Sequence, residues 1–77
     1  MTVVKPKSLQ DQQEFIVSSL PNVDNTRAKK LLTTFHTPQR VFQASKEELM
    51  LVPGIGEKIS EEIRRVVSTN YEPQALV

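Results

Sequence analysis

The sequence predicts an all-α domain of five short helices, arranged as two copies of one unit joined by a connector. Three observations carry this. No stretch alternates apolar and polar residues as a strand would. Two breaker segments, Leu20-Pro21-Asn22-Val23-Asp24-Asn25 and Val52-Pro53-Gly54-Ile55-Gly56, divide runs with helical spacing. The chain also matches itself at an offset of 32 residues, where Leu20-Pro21-Asn22-Val23-Asp24 falls on Val52-Pro53-Gly54-Ile55-Gly56, Ala28 on Ser60, Leu31 on Ile63 and Phe35 on Val67.

The elements follow in order. Residues 1–7 (MTVVKPK) have no period and form a flexible lead-in. Ser8 caps a first helix from Leu9 to about Ser19, with Asp11 near its positive end and Leu9, Ile16 and Leu20 on one face beside Phe15. A second helix runs from about Thr26 to Phe35, with Ala28, Leu31, Leu32 and Phe35 at i, i+3, i+4 and i+7. His36-Thr37-Pro38 stops it. Thr37 as N-cap and Pro38 at the first helical position open a third helix to about Ala44. Ser45 and Glu48 have capping-box spacing and open a fourth helix to about Leu51. The fifth helix spans about Glu57 to Ser68, with Ile59, Ile63, Val66 and Val67 on one face. The folded domain is thus expected over residues 8–70, with residues 71–77 as a tail.

Composition excludes several classes. The chain has 77 residues, and a chain of that size buries only roughly 60–65% of its unfolded surface. It has no Cys and one His, so neither a disulfide nor a Cys/His metal site is expected, and no cofactor is implied. No apolar run approaches the ~18 residues of a membrane span, and no signal-peptide pattern opens the chain. An intracellular protein, cytoplasmic or nuclear according to source, is the expectation. The net charge of +1 conceals a division. Residues 1–40 hold six basic and three acidic residues, a net +3, whereas residues 41–77 hold four basic and six acidic, a net −2.

The turn chemistry of the second breaker suits an anion. Pro53 fixes φ entering the turn, while Gly54 and Gly56 allow positive φ and let a ligand approach the backbone. Ile55 between them anchors the loop to the core. The amides opening the next helix have no intrahelical acceptor, and the helix dipole adds positive potential. Lys58 in that first turn is mildly disfavoured by the dipole, a conflict that a bound phosphate removes. The first breaker is less regular. Asn22 and Asn25 can adopt left-handed backbone and donate from their side chains. Asp24 either places a carboxylate where a phosphate would sit or caps the second helix. Arg27, Lys29 and Lys30 make that helix basic. Arg64 and Arg65 follow Glu61 at intrahelical pairing distance.

Two segments, VPGIGEK at residues 52–58 and the weaker LPNVDN at 20–25, together with AKKLLTTF, ASKEEL and PGIGEK, resemble the tandem helix-hairpin-helix domain at the C-terminus of the XPF family of structure-specific endonucleases, including its archaeal Hef branch. Hairpin 1 then covers residues 20–25 and hairpin 2 residues 52–57. The resemblance spans roughly residues 12–72. It implies a module that binds the DNA backbone through Gly54, Ile55, Gly56, Lys58, Asn22, Asn25, Arg27, Lys29 and Lys30, with a preference for forked, junction or single-strand/duplex structures. It also implies a homodimer or a heterodimer with a related subunit. Tyr71 is the anchor of that dimer, with Phe42, Leu49 and Met50 as further interface, unless Tyr71 folds back on its own domain.

Catalysis finds no footing in the residues. His36 has no Cys, Ser or Asp constellation and reads as a helix-end residue. Glu47-Glu48 and Glu61-Glu62 read as solvated helix faces. The metal-binding GDxxERK-type motif of the resembled nucleases does not occur, so the resemblance implies a recognition fragment of a larger enzyme. No small-molecule substrate or membrane partner is implied. The alternative is a dimerisation module that touches DNA little.

Overall fold

A computed structural model describes residues 8–73. The expected lead-in, residues 1–7, and the end of the tail, residues 74–77, lie outside the described residues. Five helices follow in order: α1 (Leu9–Ser18), α2 (Asn25–Phe35), α3 (Pro38–Gln43), α4 (Lys46–Leu49) and α5 (Glu57–Ser68). No strand occurs among the described residues.

Four helices begin where a side chain satisfies an otherwise unpaired amide. Ser8 accepts from the Asp11 amide at 3.0 Å, Asp24 from Arg27 at 2.9 Å and Thr37 from Arg40 at 3.1 Å. Ser45 and Glu48 form the complete capping box, with bonds of 3.1 and 2.9 Å. Alone among the five, α5 begins at a residue that has no side chain to cap it, Gly56. At its other end, α2 stops at His36, which has φ 76° and returns its amide to the Leu32 carbonyl.

α1 packs on α2 and α3, α2 on α3, and α4 on α5. One core runs through these contacts: Val17, Leu20 and Val23 from the first unit's opening, Ala28 and Leu31 of α2, Val41 and Ala44 of the connector, then Leu49, Val52, Ile55 and Ile63. Burial of this set is the main stabilising contribution in a chain too small for a second core. Salt links fasten α4 to α5. The Lys46 ammonium lies 3.1 Å from a Glu57 carboxylate oxygen and 2.8 Å from one of Glu61. Arg64 of α5 donates to the Phe42 carbonyl at the end of α3, at 2.8 Å.

Several expectations change. The inward row of α1 runs from half-buried Gln13 to buried Val17 and on to Leu20 beyond the helix end; Leu20 is buried as expected, whereas Leu9 and Ile16 are not. Leu9 (71% exposed), Phe15 and Ile16 face solvent. The row passes through a glutamine, so apolar periodicity alone misplaces it by one residue. On α5, Val66 is exposed while Val67 packs against the core. Leu49 is fully buried, so its side chain is unavailable to a partner; Phe42 is half-buried against the same core, and Met50 is exposed. Glu61 pairs with Lys46, Arg65 pairs with Glu62 at 3.3 Å, and Arg64 reaches Phe42. None of the three makes the expected Glu61–arginine pair.

Candidate nucleic-acid interface

The 32-residue offset holds in the backbone. Asn22 has φ 61° and its counterpart Gly54 has φ 90°. Asp24 has φ −90° and ψ −177°; Gly56 has φ −93° and ψ −171°. The turn amides bond alike, Val23 to the Leu20 carbonyl at 3.2 Å and Ile55 to the Val52 carbonyl at 3.0 Å. Val23 and Ile55 are both buried, and so are the small residues Ala28 and Ser60. The Ser60 hydroxyl is satisfied by the Glu57 carbonyl at 2.8 Å.

These angles correct the expected roles of the two glycines. Only Gly54 occupies left-handed space, where a β-carbon is strained. Gly56 has ordinary extended backbone, and a β-carbon built there meets nothing within 4 Å. What Gly56 supplies is the absence of a capping side chain. The first amides of α5 are therefore left without a protein acceptor, at the positive end of a 12-residue helix. Lys58 is exposed in that same turn. The neighbouring Glu57 carboxylate, which would repel an anion, is paired with Lys46. That arrangement raises the Lys46 pKa above its ordinary value, through the hydrogen bonds to Glu61 and Glu57.

Hairpin 1 makes a different use of the same backbone. Asp24 caps α2, so its carboxylate already occupies the Arg27 amide. Asn22 takes the left-handed position; Asn25 is the first residue of α2 and does not. The Arg27 side chain turns toward hairpin 2. Its Nε donates to the Gly54 carbonyl at 3.0 Å, and its Nη1 lies 3.4 Å from the second Asp24 oxygen. Asn22, Val23, Asp24, Arg27 and Ile59 thereby line one shallow depression that joins hairpin 1 to the start of α5. Arg27 and Ile59 are themselves a 32-residue pair.

The remaining candidates fall elsewhere. Ile55 has a buried side chain and an engaged amide, so it supports the loop from inside. Lys29 lines a groove with Gln10, Gln13, Glu14 and His36, toward α1 and away from the hairpin joint. Lys30 is exposed on α2. Tyr71 is 87% exposed and does not fold back on the domain. No cluster of three or more potential metal-ligating side chains occurs among the described residues, and none of their helices is long and apolar enough to cross a membrane. The Arg27–Gly54 link and the place of Ile59 had no signal in residue spacing, because both depend on how the two units dock.

Residues 15–66 match the SAM-like helix-hairpin-helix tandem family. The chain belongs to this family. Similar segments occur within larger proteins. A Methanocaldococcus jannaschii protein named as an ATP-dependent RNA helicase is 48% identical over 84% of the chain and 8% of its own length. The 3′-flap repair endonuclease Xpf of Saccharolobus solfataricus is 39% identical over 87% of the chain and 28% of the relative. UvrABC system protein C of Dictyoglomus thermophilum is 40% identical over 78% of the chain and 10% of the relative. The chain thus spans less than a third of each. Among solved structures, XPF from Aeropyrum pernix matches with a TM-score of 0.82 at 35% identity, over 94% of this chain and 35% of that one. The same protein in complex with DNA matches at 0.79 and 37% identity, over 84% of this chain and 32% of that one. The domain is thereby homologous to the helix-hairpin-helix part of XPF endonucleases, as the turn sequences implied.

Proposed function

We propose that this domain is the DNA-gripping module of a fork- or junction-processing endonuclease, holding sugar-phosphate backbone without reading bases. The observation that carries the reading is the uncapped start of α5, where side-chain-free Gly56 leaves amides open beside exposed Lys58. The DNA complex of the Aeropyrum pernix relative supports it. Phosphate enters at hairpin 2 and meets backbone donors; Lys58 adds one screened charge. An amide-shift titration with forked and plain duplex DNA tests this. Gly56, Glu57, Lys58 and Ile59 should move first, with the fork binding more tightly. Lys58→Gln should lower the slope of log affinity against log salt by about one on every sequence. Shifts confined to Lys29 and Lys30, or losses that depend on base sequence, would contradict it.

A dimerisation role is the second reading, favoured by the exposure of Tyr71 and Met50. In it the tail ring of Tyr71 anchors a related subunit, and paired copies present several hairpins to branched DNA. Sedimentation of the wild-type chain and Tyr71→Ala discriminates: monomers in both, at high concentration, remove the reading.

A further inference from the structure

From the Arg27–Gly54 bond we infer that Arg27 is a positioning residue, which braces hairpin 2 from hairpin 1 rather than holding a phosphate itself. The inference rests on the proposed reading of hairpin 2 as the phosphate site. Sequence position argues the reverse, since Arg27 sits in the first turn of a basic helix. The side-chain geometry favours the brace. The guanidinium has two partners within its own chain, the Gly54 carbonyl at 3.0 Å and the Asp24 carboxylate at 3.4 Å. Its side chain is only 35% exposed. Asp24 in turn is fixed by the Arg27 amide at 2.9 Å, so one residue pair closes a ring at the start of α2 and extends a single arm to the other unit. That arm meets the one residue of hairpin 2 in left-handed backbone, and the carbonyl it holds shares a peptide plane with the Ile55 amide, which closes the turn on Val52. A β-carbon added to Gly54 would lie 3.5 Å from the arginine Nε, so the side chain of Arg27 covers the face of the turn that glycine leaves bare.

The acceptor is reached by Nε, which is part of the side chain's stem. Lysine has a methylene at that position and its ammonium one bond further out, so it keeps the charge but loses the brace. This separates a strut from a phosphate ligand. With DNA absent, Arg27→Lys and Arg27→Gln should both shift the Ile55, Gly56 and Glu57 amides and speed their hydrogen exchange, while circular dichroism shows the helices retained. With forked DNA, both variants should lose affinity by about five- to tenfold, the scale of one exposed charge-assisted bond. The salt slope of Arg27→Lys should stay at the wild-type value, and adding Lys58→Gln to it should still remove about one unit. Two outcomes would overturn the inference. One is hairpin 2 amides that remain at wild-type positions in both DNA-free variants. The other is wild-type affinity in Arg27→Lys with a loss of about one unit of slope in Arg27→Gln. A wild-type domain that fails to bind DNA defeats the reading of hairpin 2 alone, because the DNA-free amide positions still decide the brace.

Discussion

The two hairpins share a backbone and differ by one carboxylate at the start of the helix that follows. At the N-cap, hairpin 1 carries Asp24 and hairpin 2 carries Gly56, with torsions that agree within 6°. The aspartate fills its own anion site and holds Arg27; the glycine leaves the equivalent site empty of protein groups. A fold can therefore duplicate a geometry and assign the copies opposite tasks, one stabilising and one receptive. Helix capping and anion binding draw on the same amides, so a site cannot do both at once.

If the copies are equivalent in the core, Leu31→Ala and Ile63→Ala should produce the largest and most similar losses. Both residues are fully buried. Each truncation should cost about 2–5 kcal/mol, read from urea unfolding, enough to unfold much of a domain this small. A cost at one site less than half that at the other would break the equivalence. Next in size is an exchange of tasks. Gly56→Asp should reduce DNA affinity by about tenfold or more, since its carboxylate caps α5 and repels phosphate. Stability should change by only a few tenths of a kcal/mol, because aspartate and glycine are close as N-caps. Unchanged binding would show that the amides of α5 do not receive phosphate.

The left-handed pair gives a smaller difference. Gly54→Ala should cost about 1–2 kcal/mol from the strained β-carbon, whereas Asn22→Gly should stay within about 0.5 kcal/mol. Thermal unfolding of the two variants measures both. The smallest effect concerns the clamp below hairpin 2. The Lys46 pKa is raised in the folded chain above the ordinary 10.5. Its contribution is therefore fully present below about 10.5 and is lost as pH rises through the folded value. Melting temperature against pH should fall more steeply for wild type than for Lys46→Met above that point, with parallel curves at neutral pH.

Much of this organisation was legible in the residues. Ser8, Thr37-Pro38 and the Ser45–Glu48 box marked three helix starts because capping is local chemistry. The 32-residue offset showed the pairing of Asn22 with Gly54 and of Asp24 with Gly56 because a turn constrains residue type position by position. The buried face of α1 was not legible, since Gln13 stands in the inward row while Phe15 and Ile16 face outward. Nor were the long-range partners. Glu61 finds Lys46 across 15 residues rather than an arginine three or four away, and Arg27 finds Gly54 across 27. Spacing reports neighbours within one helix; it carries no information on which helices meet. His36 likewise takes φ 76° without a glycine to announce it.

A repeat invites dissection into interchangeable parts, and the Arg64–Phe42 bond argues against it. That bond ties the closing helix of the second unit to the connector that follows the first. The connector in turn gives Val41 and Ala44 to the common interior. Either unit expressed alone would expose half an interior and lose its fastening. Modularity here ends at the pair: whoever grafts this domain onto another protein must move both hairpins and the segment between them as one indivisible part.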